Sequence, residues 1–381
     1  MVGVHPFKEF LKKEVKMILR HLKSLLGVCA VMISLVLLVC VSPGWAAPQN
    51  PPAAGKPLIL KASIFHPAGI TYARANCWIL DEIEKRSKGR LKIEYYWSGS
   101  LLPAKETVAG LKTGVADLAI VSGAYETGKL PLLTITSLPM TGTRFYSSAM
   151  AIADLMLMPE FKAELDRYNV RYISFYQNSS YGLWANKSIH TIADLKGKKI
   201  RAVAEQATLM KELGAVPVSM VVTETYTALQ RGTVDGSLAN PIFAFDYKFF
   251  EVCPHYYSMM FGNVGYILGV NKDSWNKVPP DIQQMFTDLR EEAAKIGHEI
   301  YETAGERNLE QAQAKGTIMI VNPSDEDLAQ VRQVASKTVW KDWVEKMNKK
   351  GLPGQKVLDN YLKYLEKWEA RSPFKKPIYV K

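Results

Sequence analysis

The chain has 381 residues, 48% of them hydrophobic, and a formal charge of +11 from 48 basic and 37 acidic side chains. That length holds about two domains with real hydrophobic cores. Residues 1–46 carry six basic and two acidic side chains, so the rest carries +7. This is an ordinary solvated surface, with no block of five like charges to suggest nucleic acid.

The N-terminus reads as a secretory signal. Lys12, Lys13, Lys16, Arg20 and Lys23 precede an apolar run from Leu25 to Val41. Small residues at Gly44 and Ala46 fit cleavage after Ala46. Met17 is an alternative start, and an uncleaved membrane anchor is the competing reading, although the run is borderline in length for a span. Cys40 follows Leu37-Leu38-Val39, a poor match to a lipoprotein signal. Beyond the signal only Cys77 and Cys253 remain. Two cysteines so far apart are not a disulfide scaffold, and two buried thiols are expected.

Residues 47–56 are rich in Pro and Ala and read as a disordered leader. Leu58 to Phe65 suits a buried strand, closed by His66-Pro67-Ala68-Gly69. Tyr72, Ala75, Ile79, Leu80 and Ile83 then recur at helical spacing up to Gly89. A strand is expected over Leu91 to Trp97, a helix over Pro103 to Thr113 and a strand over Ala116 to Val121, opening into Ser122 and Tyr125. Strands alternating with helices imply a mainly parallel sheet. Ligands of such sheets sit beyond the carboxyl ends of the strands, which points to His66, Ser122 and Tyr125.

Leu138 to Arg167 looks helical with a break near Pro159, and Val170 to Phe175 and Tyr181 to Asn186 are strand-like. A second α/β unit begins with a strand at Lys199 to Val203, a helix at Glu205 to Leu213 and a strand at Val216 to Met220. A helix at Thr223 to Arg231, a strand at Val234 to Leu238 and a helical piece at Phe243 to Phe250 complete it. His255 to Met260 and Val264 to Val270 are strand-like and return the chain to the first unit. Pro279 to Lys315 reads as one amphipathic helix, about 55 Å long at 1.5 Å per residue. A short strand at Thr317 to Val321 and helices at Asp325 to Met347 and Gly354 to Arg371 finish the chain.

Arg201 lies inside a strand, where an unpaired charge is costly when buried, so it faces either solvent or an anion. Its planar fork of donors matches both oxygens of a carboxylate. Asn240 precedes Pro241 and is held extended. It is either a turn residue or a further ligand donor. His66 is either a solvated loop side chain or a donor. Phe65, Tyr125, Tyr181, Trp184 and Phe243 are aromatic residues that line a pocket or fill a core. His190, His255 and His298 form no metal-ligand motif. G-x-S-x-G, H-E-x-x-H, G-x-x-x-x-G-K-[ST] and G-x-G-x-x-G are all missing, so nothing argues for an enzyme.

The run Asp194-Leu195-Lys196-Gly197-Lys198-Lys199-Ile200-Arg201, then Leu213-Gly214-Ala215, then Glu224 to Gly236 and finally Asn240-Pro241 resembles the solute-binding subunit of TRAP (tripartite ATP-independent periplasmic) transporters. The resemblance extends from about Pro57 to the C-terminal helices. It implies an α/β, two-lobed periplasmic-binding-protein-like fold with hinge strands and one long helix bridging both lobes. Its implied division is a signal peptide (1–46), a leader (47–56), lobe I (57–180) and lobe II (181–263). A return to lobe I with the bridging helix (264–315) and C-terminal helices packing on lobe II or the hinge (316–381) complete it. It implies that the lobes close on an organic acid, with Arg201 holding the carboxylate and Asn240 assisting. The mature protein would be periplasmic, with the membrane subunits of a TRAP transporter as partners and no cofactor. One departure is the spacing: Asn240 follows Asp235 by five residues, where the commonest family version has four. Some members that bind multiply charged acids carry an arginine at the position of Tyr181, and some that bind highly polar ligands carry an acid at that of Ser122. A less charged pocket is therefore expected here, for an acid with one carboxylate and an apolar body. The competing readings are a periplasmic enzyme acting on a small acid, and the binding subunit of a sensor or of an ATP-driven importer.

Overall fold

Two sheets organise the chain, and every crossing between them is readable in the strand order. The structure, a computed structural model, describes residues 55–141 and 144–374. The expected signal segment and most of the leader lie outside the described residues.

The first sheet begins with β1 (Leu58–Ser63), followed by helix α1 (Thr71–Arg86), β2 (Leu91–Tyr96), α2 (Thr107–Lys112) and β3 (Leu118–Val121). β1 lies parallel to β2 on one side and to β3 on the other. α2 is shorter than expected. The Glu126 carboxylate sets its start by accepting from Val108 N (3.0 Å) and Thr107 Oγ1 (2.9 Å). A 3-10 turn (Leu132–Ser137), not anticipated from sequence, leads to α3 (Phe145–Leu155), α4 (Pro159–Asp166) and β4 (Val170–Tyr176).

The chain then crosses to the second sheet. There it forms β5 (Gly182–Ala185), β6 (Lys199–Arg201), α5 (Ala204–Glu212), β7 (Val216–Val218), α6 (Val222–Gln230) and β8 (Gly236–Ala239). Between β5 and β6, Thr191 and Asp194 form a reciprocal capping box around a single 3-10 turn. After β8 come α7 (Pro241–Asp246) and α8 (Phe249–Val252), where one helical piece was expected. Lys248 breaks it, in the left-handed region at φ 60°. β9 (His255–Tyr257) closes this part, and β10 (Tyr266–Asn271) returns to the first sheet. β10 runs antiparallel between β3 and β4, giving the order β2-β1-β3-β10-β4.

α9 (Lys272–Trp275), α10 (Pro280–Asp288) and α11 (Arg290–Ala314) follow. The expected single helix is interrupted at Leu289, whose ψ is −4°. The break lets Phe286 pack edge-on against Trp275 (5.3 Å) while α11 runs on over α1, α3 and α7. α11 thereby bridges the two lobes. β11 (Met319–Val321) joins the second sheet, of order β11-β9-β5-β8-β6-β7.

α12 (Asp325–Val334) passes through one π turn (Ala335–Val339) into α13 (Trp340–Lys349). Trp343 Nε1 donates to Thr134 Oγ1 (2.8 Å) and Trp340 Nε1 to Pro139 O (2.9 Å), so α13 pins the segment leading into α3. The last helix, α14 (Gly354–Arg371), lies along α3. Asp154 there accepts from Lys367 Nζ (2.6 Å) and Trp368 Nε1 (2.8 Å). Cys77 and Cys253 are free and buried, and burial raises both thiol pKa values, that of Cys253 to about 12.

The two lobes are joined where strands pass between sheets. Tyr181 N donates to Gly262 O (2.7 Å) and Phe261 N to Tyr181 O (2.9 Å), so the outgoing and returning crossings are paired with each other. Among the described residues no helix is long and apolar enough to cross a membrane.

Candidate functional site

Arg201 is the last residue of β6, in parallel register with Val218 of β7 and Ser237 of β8. It is 2% exposed. Nε and Nη2 both donate to Met220 O (3.2 and 2.9 Å), and Nη1 reaches Leu238 O at 3.5 Å. Nη2 also lies 3.4 Å from the hydroxyl of Tyr125, which belongs to the other lobe. Among the described residues no carboxylate pairs with this guanidinium. Carbonyl oxygens orient it without neutralising it, and a buried positive charge left in that condition favours an anion.

Asn240 is the N-cap of α7. Its Oδ1 accepts from Phe243 N (2.9 Å), and Nδ2 donates to Asn178 Oδ1 (3.2 Å) on the outgoing crossing. Asn178 Oδ1 also accepts from Tyr301 of α11 (3.2 Å), and Asn178 Nδ2 donates to Val264 O (2.6 Å) on the return. Asn240 thus ties the second lobe to both crossings and to the bridging helix. Its amide carries a second N–H beyond that bond.

The carboxyl end of β1 brings Phe65 and His66 to the same place. Their rings are 4.4 Å apart. Phe65 meets Tyr125 at 5.8 Å and Tyr266 at 6.1 Å. His66 stacks parallel to Tyr176 and meets Phe243, each at 5.8 Å. Phe243 also meets Tyr181 at 6.2 Å. Ser122, at the end of β3, is fully buried, and its hydroxyl has no hydrogen-bond partner among the described residues. The structure therefore gathers Phe65, His66, Tyr125, Tyr181 and Phe243 into one aromatic set beside Arg201.

Trp184 stands apart from that set. It packs on Tyr256 (4.6 Å) and Phe245 (5.9 Å) within the second lobe. Four further tyrosines belong to the set and were not singled out from sequence: Tyr72, Tyr176, Tyr247 and Tyr266. Tyr176 and Tyr266 face each other across antiparallel β4 and β10. The available signal was that Tyr176 ends a strand of a sheet whose carboxyl edge was already suspected.

Burial sets the charge states here. It lowers the His66 pKa from its ordinary 6.5 to about 3, so the imidazole is neutral. It raises the phenols of Tyr72, Tyr176, Tyr181, Tyr247 and Tyr266, and the Arg201 charge opposes that rise at Tyr181, Tyr247 and Tyr266. The nearby carboxyl of Asp246 is turned to the backbone N–H of Tyr72 (3.1 Å). One fixed cation therefore stands among neutral rings.

Known proteins give this arrangement a context. Residues 67–347 match the model of the bacterial extracellular solute-binding proteins, family 7. A solute-binding protein of Albidiferax ferrireducens is 26% identical over 268 residues, covering 69% of this chain and 78% of that one. The C4-dicarboxylate-binding periplasmic protein DctP of Rhodobacter capsulatus is 26% identical over 273 residues, covering 70% and 80%. Among solved structures, a TRAP periplasmic solute-binding protein of Desulfovibrio salexigens superposes with a TM-score of 0.71 at 27% identity, covering 83% and 98%. It is an open complex with the C-terminus of a symmetry mate in its ligand-binding site. The chain belongs to the bacterial extracellular solute-binding proteins of family 7, the solute-binding family of TRAP transporters.

Proposed function

We propose that the protein captures a monocarboxylic acid with an apolar or aromatic body between its lobes and delivers it to the membrane subunits of a TRAP transporter, without chemical change. The observation that carries this reading is Arg201: a buried guanidinium, held by carbonyl oxygens, with no acid partner among the described residues. In this reading Arg201 takes the carboxylate and Asn240 adds its second N–H. Tyr181, Tyr125, Ser122, His66, Phe65 and Phe243 line the body, and Trp184 backs the wall from within the second lobe. The relative from Rhodobacter capsulatus is named for C4-dicarboxylates. Among the described residues no second cation bonds to or stacks on the rings beside Arg201, which supports a ligand of single charge.

Residues 1–46 act as a cleaved export signal, and the mature protein works in the periplasm. Lobe closure over the bound acid presents the form that the membrane subunits accept, so binding energy selects the deliverable state. Micromolar affinity, about −8 kcal/mol, is within reach of one charge-assisted fork and stacked apolar surface.

A thermal-shift screen of the mature protein against aromatic, branched 2-oxo and dicarboxylic acids tests the reading. A ligand at 100 times its dissociation constant stabilises by about 2.7 kcal/mol. Hits among monocarboxylates with apolar bodies, recovered unchanged, are the expected result. Hits confined to dicarboxylates would keep the Arg201 role and overturn the singly charged ligand. Turnover of the bound acid would overturn the transport role.

A further inference from the structure

His66 offers a donor that the protein does not use. Its Nδ1 lies 2.6 Å from the hydroxyl of Tyr247, and this hydroxyl has no other hydrogen-bond partner among the described residues. Donation from the phenol to Nδ1 satisfies both groups, whereas the reverse would leave the phenol proton without an acceptor among the described residues. The ring is neutral, and with that donation its one proton sits on Nε2. Nε2 is buried and meets no acceptor among the described residues. An unused N–H in an apolar wall is costly, and an acceptor brought by the ligand would recover that cost.

The position of this donor relative to Arg201 sets the shape of what fits. The Tyr266 hydroxyl is 3.5 Å from that of Tyr125, which is 3.4 Å from Arg201 Nη2. The ring centre of Tyr266 is 6.4 Å from that of His66. Tyr266 thus lies between the two: its hydroxyl leads to the guanidinium through Tyr125, and its ring packs near the imidazole. We propose that the transported acid carries, besides its carboxylate, an uncharged oxygen acceptor on its body, and that His66 Nε2–H donates to it. This rests on the reading that Arg201 holds the carboxylate. A second carboxylate at the His66 end would meet phenols and a neutral imidazole, and a buried charge without a partner is disfavoured there. The Ser122 hydroxyl, also unpartnered among the described residues, offers a second polar contact on the same lobe.

The test is calorimetric titration of the mature protein, free of carried-over ligand, with benzoate, 3- and 4-hydroxybenzoate, 4-methoxybenzoate and terephthalate. Methoxy oxygen accepts but cannot donate, so it isolates the role of Nε2–H. At least one oxygen-bearing monocarboxylate should bind about 10-fold tighter than benzoate, the equivalent of one hydrogen bond. Terephthalate should bind more weakly than benzoate. In His66→Phe, which keeps an aromatic ring but removes the donor, the ratio of oxygenated acid to benzoate should fall to about one. Equal binding of benzoate and all oxygenated acids by the wild type would overturn this inference and leave the Arg201 reading intact. Failure of the whole series, benzoate included, would overturn both. Nitrogen-15 NMR of the unliganded wild type tests the tautomer without a variant: Nε2 should bear the proton, and a proton on Nδ1 would overturn the donor assignment.

Discussion

Arg201 Nη2 and the hydroxyl of Tyr125 meet at 3.4 Å across the gap between the lobes, and the same hydroxyl accepts from Val222 N at 3.1 Å. Val222 opens α6, so one tyrosine oxygen accepts from both a guanidinium and a helix N-terminus. These are the two kinds of donor that suit a carboxylate oxygen. Arg201→Ala should abolish carboxylate binding, by a factor of at least about 100, because the partner charge would be buried unpaired. The cooperative unfolding transition should persist, since among the described residues no acid pairs with Arg201. Arg201→Lys should also bind poorly, because a point charge cannot reproduce the fork. Titration calorimetry reads both, and unchanged affinity would place the clamp elsewhere.

Tyr125→Phe removes one oxygen that links the lobes but keeps the ring against Phe65. A hydrogen bond of this kind contributes about 0.5–1.5 kcal/mol net. The ligand-free protein should open more readily, visible as a larger radius of gyration in small-angle scattering, and affinity should weaken about 2- to 10-fold. Tighter binding would mean instead that the hydroxyl competes with the ligand for Arg201 and Val222.

The buried neutral state of His66 links stability to pH. Its pKa in the folded chain is about 3, against 6.5 when exposed. Between those values the unfolded chain holds a proton that the folded chain does not. Stability from this residue is therefore complete above about pH 6.5 and is lost as pH falls towards 3. The groups facing the ring are the phenols of Tyr72, Tyr176, Tyr247 and Tyr266, with Asp246 beside Tyr72. Denaturant melts of wild type and His66→Phe should diverge with a slope of up to about 1.4 kcal/mol per pH unit in this window. Parallel profiles would show that His66 is accessible to protons in the folded state.

Gly262 sits on the returning crossing at φ +91°, and its carbonyl accepts from Tyr181 N. A Cβ there would come within 2.8 Å of Leu138 O and 3.0 Å of Pro139 Cα, both backbone atoms. Gly262→Ala combines a left-handed backbone penalty with overpacking and should cost about 2–4 kcal/mol. A change below 0.5 kcal/mol in urea unfolding would show that the crossing yields.

Asn240→Ala removes the cap of α7 and leaves Asn178 with one partner fewer in a buried place. The stability cost should be about 1–3 kcal/mol. Asn240→Asp keeps the cap acceptor but loses the amide donor and adds a negative charge beside Asn178. It should bind anions worse than Asn240→Ala does. The reverse order would argue that Asn240 acts only as a cap.

The amino-acid order by itself determined the alternation of strands and helices, and with it the carboxyl-edge loops that carry His66, Ser122 and Tyr125. Periodicity and turn residues are local, and they sufficed for β1 to β3 and for the unit around Arg201. The family motif from Asp194 to Pro241 singled out Arg201 and Asn240. Local signals did not reveal the break at Leu289, the left-handed Lys248 or the 3-10 turn at Leu132–Ser137, where packing against distant elements overrides propensity. Only the tertiary structure decided which aromatic residues share one space. Tyr181 and Trp184 are three residues apart, yet the first joins Phe243 and the second joins Tyr256. Tyr72, Tyr247 and Tyr266 are far apart in sequence, yet all three meet His66. The tautomer of His66 is likewise a tertiary property, because the group that orients it lies 181 residues away.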